Sequence, residues 1–286
     1  MSAGHAHQPA QTGAPGRNSS TCHRLNSAMQ VSRRVIDSIE IRQAVIGEGA
    51  PLLMAHGWGA SIETLFPLAD RLSRQGYRCA MADLPGFGES AEPPQAWAVR
   101  DYVEFCLAFL DSLGWARAHY FGHSLGGRIG LMLTADYPQR VHKMTLSNSA
   151  GIKVEPSIGQ RIRLAAYRRA RGGLTKIGAN ASAESLRRLY NQRFGSADYL
   201  QASPIMRGTL VTIVNQDLLA YARRAAAPTV LIWGDADEET PLWMGQKLEA
   251  TMPDAALIVH PGAGHYAYLD FPERTASIMD ALFRSE

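Results

Sequence analysis

The chain has 286 residues, of which 46% are hydrophobic and 19% charged, and its formal net charge is +3. This balance excludes disorder over most of the length, and so small a net charge does not by itself indicate a nucleic-acid partner. No apolar run reaches the roughly 18 residues needed to cross a bilayer, and the length suits one large domain or two small ones. We therefore expect a soluble protein built as one large domain with an insertion.

The first 29 residues are rich in Gly, Pro, Ser, Gln and Ala and show no periodic apolar pattern. We expect a disordered tail without a secretory signal, and translation could begin at Met29. The histidines of the tail have neither regular spacing nor accompanying acids, so no metal site is expected at His5, His7 and His23.

Three cysteines, an odd number, are scattered along the chain: Cys22, Cys79 and Cys106. They form no CxxC pair and no metal-type pairing with histidine. We therefore predict reduced thiols and a reducing compartment, the cytoplasm. The sequence calls for neither a metal nor an organic cofactor.

After the tail, the hydrophobic pattern becomes regular. Residues 30–49 alternate apolar and polar side chains, which predicts an antiparallel strand pair with its turn near Asp37 and Ser38. Apolar runs typical of buried strands alternate with helical stretches through the rest of residues 30–151 and through residues 225–286. This alternation predicts an α/β fold with a mostly parallel central sheet and helices on both faces. Right-handed crossovers would bring the loops that follow the strands to one edge of the sheet.

The segment 152–224 interrupts this alternation, because it contains helical patterns but no strong strand signal. Since it joins two strands of the sheet, we expect a helical cap above their carboxyl ends. Thirteen Lys and Arg against four Asp and Glu give the segment a net charge of +9. Two interpretations stay open: a cationic entrance that attracts anionic acyl compounds, or solvated helix faces, which the scatter of the charges around the helices favours.

The stretch "GHSLGG", residues 122–127, lies between an apolar run and a helical stretch. A G-x-S-x-G sequence between a strand and a helix is typical of a nucleophile elbow. Its glycines make room for a serine whose backbone is strained. Ser124 is therefore the candidate nucleophile, and a plain structural turn is the alternative interpretation.

A serine nucleophile needs a base, and the base needs an orienting acid. In this architecture the acid and then the base follow the serine along the chain. Asp235 and Asp237 come at the end of a predicted strand, and its greater reach favours Asp237 as the acid, while Asp235 braces the turn. His265 follows the last predicted strand in a glycine-rich loop, which favours it as the base over a packed loop histidine.

An acyl-transfer site also needs donors for the developing oxyanion. The backbone N–H groups of Trp58 and Leu125 are the candidates. Trp58 lies in a tight turn after a predicted strand, and Leu125 follows the candidate nucleophile at a helix N-terminus. The candidate residues of the substrate pocket are His56, Trp58, His123 and Tyr266.

From about Val31 to its end, the chain resembles the α/β-hydrolase superfamily in five segments that occur in the family's order. These are "HGWGAS", "DLPGFGES", "GHSLGG", "WGDADEETP" and "GAGHYAYLDFPE". The resemblance implies a serine hydrolase with a helical cap. The family pattern carries over to Ser124 as nucleophile, Asp237 as acid, His265 as base, and the amides of Trp58 and Leu125 as oxyanion hole.

Departures from family patterns narrow the expected reaction. A serine nucleophile argues against haloalkane dehalogenases and epoxide hydrolases, which use an aspartate. Gly59 argues against cofactor-free haloperoxidase-like members, which usually have proline at this position. The C–C hydrolases of meta-cleavage products typically resemble "GNSMGG", so His123 disfavours that reaction. We expect cleavage of a small-molecule ester, lactone or thioester through an acyl-enzyme. C–C hydrolysis, acyl transfer and a non-catalytic ligand receptor stay as alternatives.

Overall fold

A computed structural model describes residues 30–155, 157–194 and 196–285. The strands are β1 Gln30–Ile36, β2 Ile39–Ile46, β3 Ala50–Ala55, β4 Tyr77–Ala82, β5 Ala118–His123, β6 Val141–Ser147, β7 Thr229–Gly234 and β8 Ala255–His260. They form one sheet in the order β1-β2-β4-β3-β5-β6-β7-β8.

Helices occupy most of the connections between the strands. They are α1 Ile62–Arg74, α2 Val99–Ser112, α3 Leu125–Asp136, α4 Ile158–Lys176, α5 Asn180–Phe194, α6 Ala197–Gln201, α7 Pro204–Asn215, α8 Leu219–Ala222, α9 Leu242–Glu249, α10 Ala267–Asp270 and α11 Pro272–Arg284.

The sheet is antiparallel at one edge and parallel elsewhere. β1 and β2 form a hairpin whose turn is made by Asp37 and Ser38, both at positive φ (45° and 68°). β2 is also antiparallel to β4, whereas the pairs from β4 to β8 are all parallel. The predicted α/β class with a mostly parallel sheet is confirmed.

Helices cover both faces of the sheet, because successive residues of a buried strand point to opposite sides. Leu52 of β3 packs in the cluster formed with α1 and α11, whereas its neighbour Leu53 packs in the cluster formed with α2 and α3. Each such leucine stabilises the fold by about 1.5–3 kcal/mol through the apolar surface that it buries. The central strands are therefore a rigid base for the loops that leave their carboxyl ends.

We call residues 152–224, the segment predicted to form a cap, the insertion. Its described part contains α4 to α8 and no strand. Two hydrogen bonds fasten α7 to the start of α2: Trp97 N–H donates to Thr209 Oγ1 (2.9 Å), and Val99 N–H donates to Gln216 Oε1 (3.1 Å). By contrast, α4 contains no buried residue. The helical pattern of the segment is thus present, and its action as a cap stays a prediction.

Several expectations concern residues 1–29, which lie outside the described ranges. They are the disordered tail, the start at Met29, the absence of metal binding at His5, His7 and His23, and the state of Cys22. Within the described ranges, Cys79 and Cys106 are buried free thiols. No helix there combines the length and the apolar character that a membrane span requires.

Candidate active site

Ser124 occupies a sharp turn between the end of β5 and the start of α3. Its backbone has φ 50° and ψ −103°, a left-handed conformation that raises the free energy of a residue with a side chain by about 1–3 kcal/mol. Hydrogen bonds hold this strained turn in place. Ser124 N–H donates to Ser147 O, while Ser124 O accepts from the N–H groups of Arg128 and Ala150, each at 3.2 Å.

The two glycines around Ser124 are packed against backbone. A Cβ on Gly122 would lie 2.4 Å from Gly126 O, and one on Gly126 would lie 2.2 Å from Ala55 O. Both separations are far below van der Waals contact. The glycines therefore let α3 begin close against β3 and β5, which brings Ser124 to the carboxyl edge of the sheet.

The replacement Gly126→Ala is expected to lower the free energy of unfolding by about 3 kcal/mol, because the new methyl group must displace backbone. Urea denaturation measures the change. Gly172→Ala is the matched control, since Gly172 is also helical but has open space around it. Equal stabilities of the two variants would contradict the packing described for Gly126.

Asp237 and His265 meet at the same edge of the sheet, although 28 residues separate them. The Nδ1 of His265 lies 2.9 Å from Asp237 Oδ2. The same carboxylate accepts hydrogen bonds from Asn148 Nδ2 (2.6 Å) and Thr240 Oγ1 (2.7 Å) on Oδ2, and from the N–H groups of Glu239 (2.8 Å) and Thr240 (3.0 Å) on Oδ1.

The pKa of Asp237 results from opposing effects. Burial by itself would raise this pKa, but the hydrogen bonds from His265, Thr240 and Asn148 outweigh burial and lower it. The carboxylate is therefore charged at neutral pH and holds His265 with Nδ1 protonated. The neighbouring Asp235 points elsewhere: its Oδ1 accepts from Gly262 N–H at 2.6 Å, which braces the turn after β8.

Ser124 and His265 line one cavity of about 480 Å³, together with Trp58 and Leu125. Among the described residues, no acceptor receives the backbone N–H of Trp58 or Leu125, so both donors are free for a ligand. A larger cavity of about 1170 Å³ lies between α4, α5 and α7, and neither Ser124 nor His265 lines it. The smaller cavity is therefore the candidate active site.

The Nε2 of His265 faces a carboxylate at the cavity wall. Glu239 Oε2 lies 3.4 Å from it, and the Glu239 side chain is 72% exposed. No hydrogen bond joins Ser124 to His265 in the part of the chain that the structure describes. Because hydrogen bonds between catalytic groups are often long or poorly aligned before a substrate binds, the absence of this bond is compatible with a serine–histidine pair.

His56 and His123 are completely buried and do not line the cavity, although the sequence suggested both for the substrate pocket. His56 Nδ1 donates to Gly57 O (2.7 Å), and its Nε2 accepts from Leu84 N–H (2.9 Å). His56 thus shapes the loop that carries Trp58. Tyr266 does not line this cavity either; its ring lies 4.6 Å from that of His123. Of the four suggested pocket residues, Trp58 alone lies on the cavity wall.

His123 supports the loop of His265 from behind. Its Nε2 lies 2.9 Å from His265 O and donates to it, while its Nδ1 is buried and has no partner among the described residues. Burial, together with the nearby His265, lowers the pKa of His123 from the ordinary 6.5 to about 3. The imidazole therefore stays neutral over most of the acidic range.

This buried imidazole should make the stability fall with acid. Below pH 6.5 the unfolded chain protonates His123, whereas the folded protein resists protonation until about pH 3. His123 therefore favours folding above pH 6.5, and this advantage is lost progressively as the pH falls towards 3. In His123→Asn, the free energy of unfolding should change less between pH 6.5 and 4 than in the wild type, as urea titrations at several pH values would measure. Parallel curves for wild type and His123→Asn would contradict the expectation.

Sequence reasoning missed three residues of the site: Arg128, Asn148 and Thr240. Asn148 and Thr240 hold the Asp237 carboxylate, as described above. Asn148 directly follows β6 at positive φ (46°), and its place after a strand was an available signal. Arg128 follows Ser124 by four residues on an otherwise apolar helix and lines the cavity. An arginine within a buried helical stretch was the signal there.

Comparisons with known proteins point to one fold family. A family model described as alpha/beta hydrolase fold matches residues 50–272. A dihydrolipoyllysine-residue acetyltransferase component of an acetoin-cleaving system from Pseudomonas putida is 29% identical over 244 residues, which are 82% of this chain and 64% of that protein. The chain thus spans less than two thirds of the length of this relative.

A second relative is matched over more of its length. It is a 2-hydroxy-6-oxononadienedioate/2-hydroxy-6-oxononatrienedioate hydrolase from a Pseudomonas species, 26% identical over 265 residues, which are 83% of this chain and 88% of that protein. Among solved structures, a membrane phospholipase A described as a bacterial virulence factor superposes with a TM-score of 0.71 at 22% identity. The superposition covers 93% of this chain and 89% of that one. At this level of identity, the superposition shows the fold alone.

Proposed function

Since the chain belongs to the α/β-hydrolase family, we propose that it is a serine hydrolase that cleaves a small-molecule ester, lactone or thioester through an acyl-enzyme. One observation carries the proposal. Ser124, on a strained turn, lines the same cavity as His265, whose Nδ1 is held by the buried carboxylate of Asp237. A nucleophile, a base and an orienting acid are the groups that acyl transfer needs.

The reaction begins as Ser124 Oγ attacks the carbonyl carbon of the substrate while its proton passes to His265 Nε2. The Trp58 and Leu125 N–H groups donate to the oxyanion, and the Asp237 carboxylate stabilises the imidazolium that forms. The imidazolium then protonates the leaving oxygen or sulfur, and the acyl group stays on Ser124. Glu239 is exposed and can leave His265 Nε2 when the substrate enters.

The second half of the reaction repeats these steps with water. His265 Nε2 takes a proton from a water molecule, whose oxygen attacks the acyl-enzyme carbonyl. The oxyanion is again held by the two backbone N–H groups. His265 then returns a proton to Ser124 Oγ, and the carboxylic acid leaves. No net change occurs in the enzyme.

C–C hydrolysis is the second candidate, because a relative named as a 2-hydroxy-6-oxononadienedioate hydrolase is matched over 88% of its length. The sequence around Ser124 disfavours C–C hydrolysis. Such enzymes typically resemble "GNSMGG", whereas this chain has His123 in place of the asparagine. Acyl transfer is supported only by the name of the acetyltransferase component. A receptor without catalysis would have no evident need for the strained serine turn.

A substrate panel tests the proposal. The purified protein is incubated with esters, lactones, thioesters and a 2-hydroxy-6-oxodienoate, and the products are identified by mass. Labelling by a fluorophosphonate probe is measured in parallel for the wild type and Ser124→Ala. We expect labelling of the wild type alone and turnover of at least one acyl compound. A protein that neither reacts with the probe nor turns over any compound would be a binder, not a hydrolase.

A further inference from the structure

Arg128 places a cation on the wall of the candidate active site. It lies one helical turn after Ser124, since Arg128 N–H donates to Ser124 O (3.2 Å), and residues four apart share one face of a helix. Both residues line the same cavity. Arg128 is only 6% exposed, so its guanidinium is largely removed from solvent.

Part of this guanidinium is held by the insertion. Its Nη1 donates to Ile213 O and Gln216 O, both at 3.0 Å, which are carbonyl groups at the carboxyl end of α7. Ile213 O also accepts from Gln216 N–H (3.1 Å), and both carbonyls lie at the helix end, where an arginine side chain can bond to them. The bonds fix the orientation of the guanidinium. They leave the Nε–H and Nη2–H groups of Arg128 without an acceptor in the described part of the chain.

The buried charge has no acidic partner. Among the described residues Arg128 forms no salt bridge with a carboxylate, and its hydrogen bonds all come from Nη1. Asp217, the acid that acts on it from farther away, accepts from the N–H groups of Lys153 and Leu219. Burial lowers the pKa of Arg128 to about 10, so the group is still a cation at neutral pH.

A buried cation without a carboxylate partner destabilises a protein, whereas a leucine or methionine would fill the same wall without that penalty. A second cation, Lys153, also lines the cavity. The acids on the wall, Glu239 and Asp198, have exposed side chains, so solvent screens their charge more than that of Arg128. The part of the cavity wall that Arg128 forms is therefore suited to an anion.

We propose that Arg128 binds a carboxylate of the substrate through its Nε–H and Nη2–H groups, while the scissile carbonyl lies at Ser124. These two N–H groups form the planar fork that matches the two oxygens of a carboxylate. The inference rests on the proposed hydrolase function and narrows its substrates to acidic acyl compounds, such as the half-ester of a dicarboxylic acid. Since Arg128 and Ser124 are one helical turn apart, about 5.4 Å along the axis, we expect the acid to have a short chain.

The first test uses the wild type with matched neutral and anionic substrates. The monoethyl and diethyl esters of malonic, succinic, glutaric and adipic acid differ only in whether the far end is charged. At low ionic strength we expect kcat/KM for at least one half-ester to exceed that for its diester by about 10-fold or more. A preference for the diester at every chain length would overturn the assignment of Arg128.

The second test uses variants and the ratio of the two kcat/KM values. Arg128→Gln is expected to lower the half-ester to diester ratio about 10- to 100-fold, and Arg128→Lys, which keeps the charge but not the fork, to lower it less. Arg161→Gln, at an exposed arginine of α4 outside the cavity, removes the same charge and should leave the ratio unchanged. If Arg128→Gln lowers both kcat/KM values equally, Arg128 merely ties α7 to the core.

A binding measurement separates failure of this inference from failure of the proposed function. Calorimetry with Ser124→Ala compares the affinity of each half-ester with that of its diester, and it needs no turnover. Tighter binding of a half-ester, weakened in Ser124→Ala/Arg128→Lys, supports the carboxylate site even if the chemistry is not acyl transfer. Equal binding overturns the site, whereas absent fluorophosphonate labelling in the wild type counts against the hydrolase alone. If Arg128→Gln does not fold, the wild-type ester preference and the lysine variant still decide.

Discussion

Replacing Ser124 with alanine is expected to lower kcat for a p-nitrophenyl ester by about 10⁴- to 10⁶-fold, because no other hydroxyl can form the acyl-enzyme at this position. The release of p-nitrophenol measures the change by absorbance. The substitution removes a single oxygen and leaves the backbone hydrogen bonds of the turn intact. Any residual rate reports what the oxyanion donors and the cavity contribute without a nucleophile.

The thermal stability of Ser124→Ala should match or exceed that of the wild type, since alanine adds no atoms to the strained turn. Ser277→Ala removes a hydroxyl from an exposed serine of α11 that donates to Glu273 O, and it is the matched control for activity. We expect this control to keep wild-type kcat. A Ser124→Ala enzyme that retained more than a tenth of the wild-type kcat would exclude the proposed nucleophile.

Asp237→Asn is expected to lower kcat by about 10³- to 10⁴-fold with little change in shape. An amide cannot accept from His265 Nδ1–H with the strength of a carboxylate, and it offers an N–H group that favours the wrong tautomer of the imidazole. The negative charge that stabilises the imidazolium is also lost. Steady-state kinetics on the same p-nitrophenyl ester measure the effect.

Asp235→Asn provides a matched control from the same loop. Asp235 is exposed and accepts from Gly262 N–H, and among the described residues it forms no hydrogen bond with His265. We expect its kcat to fall by less than about 10-fold. If Asp235→Asn loses more activity than Asp237→Asn, then Asp235 is the orienting acid and the proposed triad is wrong at that position.

Local patterns predicted the fold because each of them is set by nearby residues. Alternation of apolar and polar side chains predicted the β1–β2 hairpin, and its turn lies at Asp37 and Ser38. The strand–glycine–serine–glycine–helix order predicted the turn at Ser124. Topology then predicted that Asp237 and His265 would meet, since parallel strands deliver their following loops to one edge.

The directions of side chains could not be predicted in the same way. His56 and His123 are close along the chain to Trp58 and Ser124, which line the cavity. Each imidazole nevertheless points into the protein and bonds with backbone. Whether a histidine next to a site faces ligand or backbone depends on its rotamer and on distant packing. Arg128 was missed for a similar reason, because its partners Ile213 and Gln216 are 85 and 88 residues away.

The site draws its parts from opposite regions of the sheet. Ser124 follows β5 in the middle, whereas His265 follows β8 at the edge. A molecule that has joined β3, β5 and β6 but has not yet added β8 holds the serine turn without its imidazole. Such an incomplete molecule lacks the imidazole that would remove the serine proton, so the proposed reactivity arises only once β8 has joined the sheet.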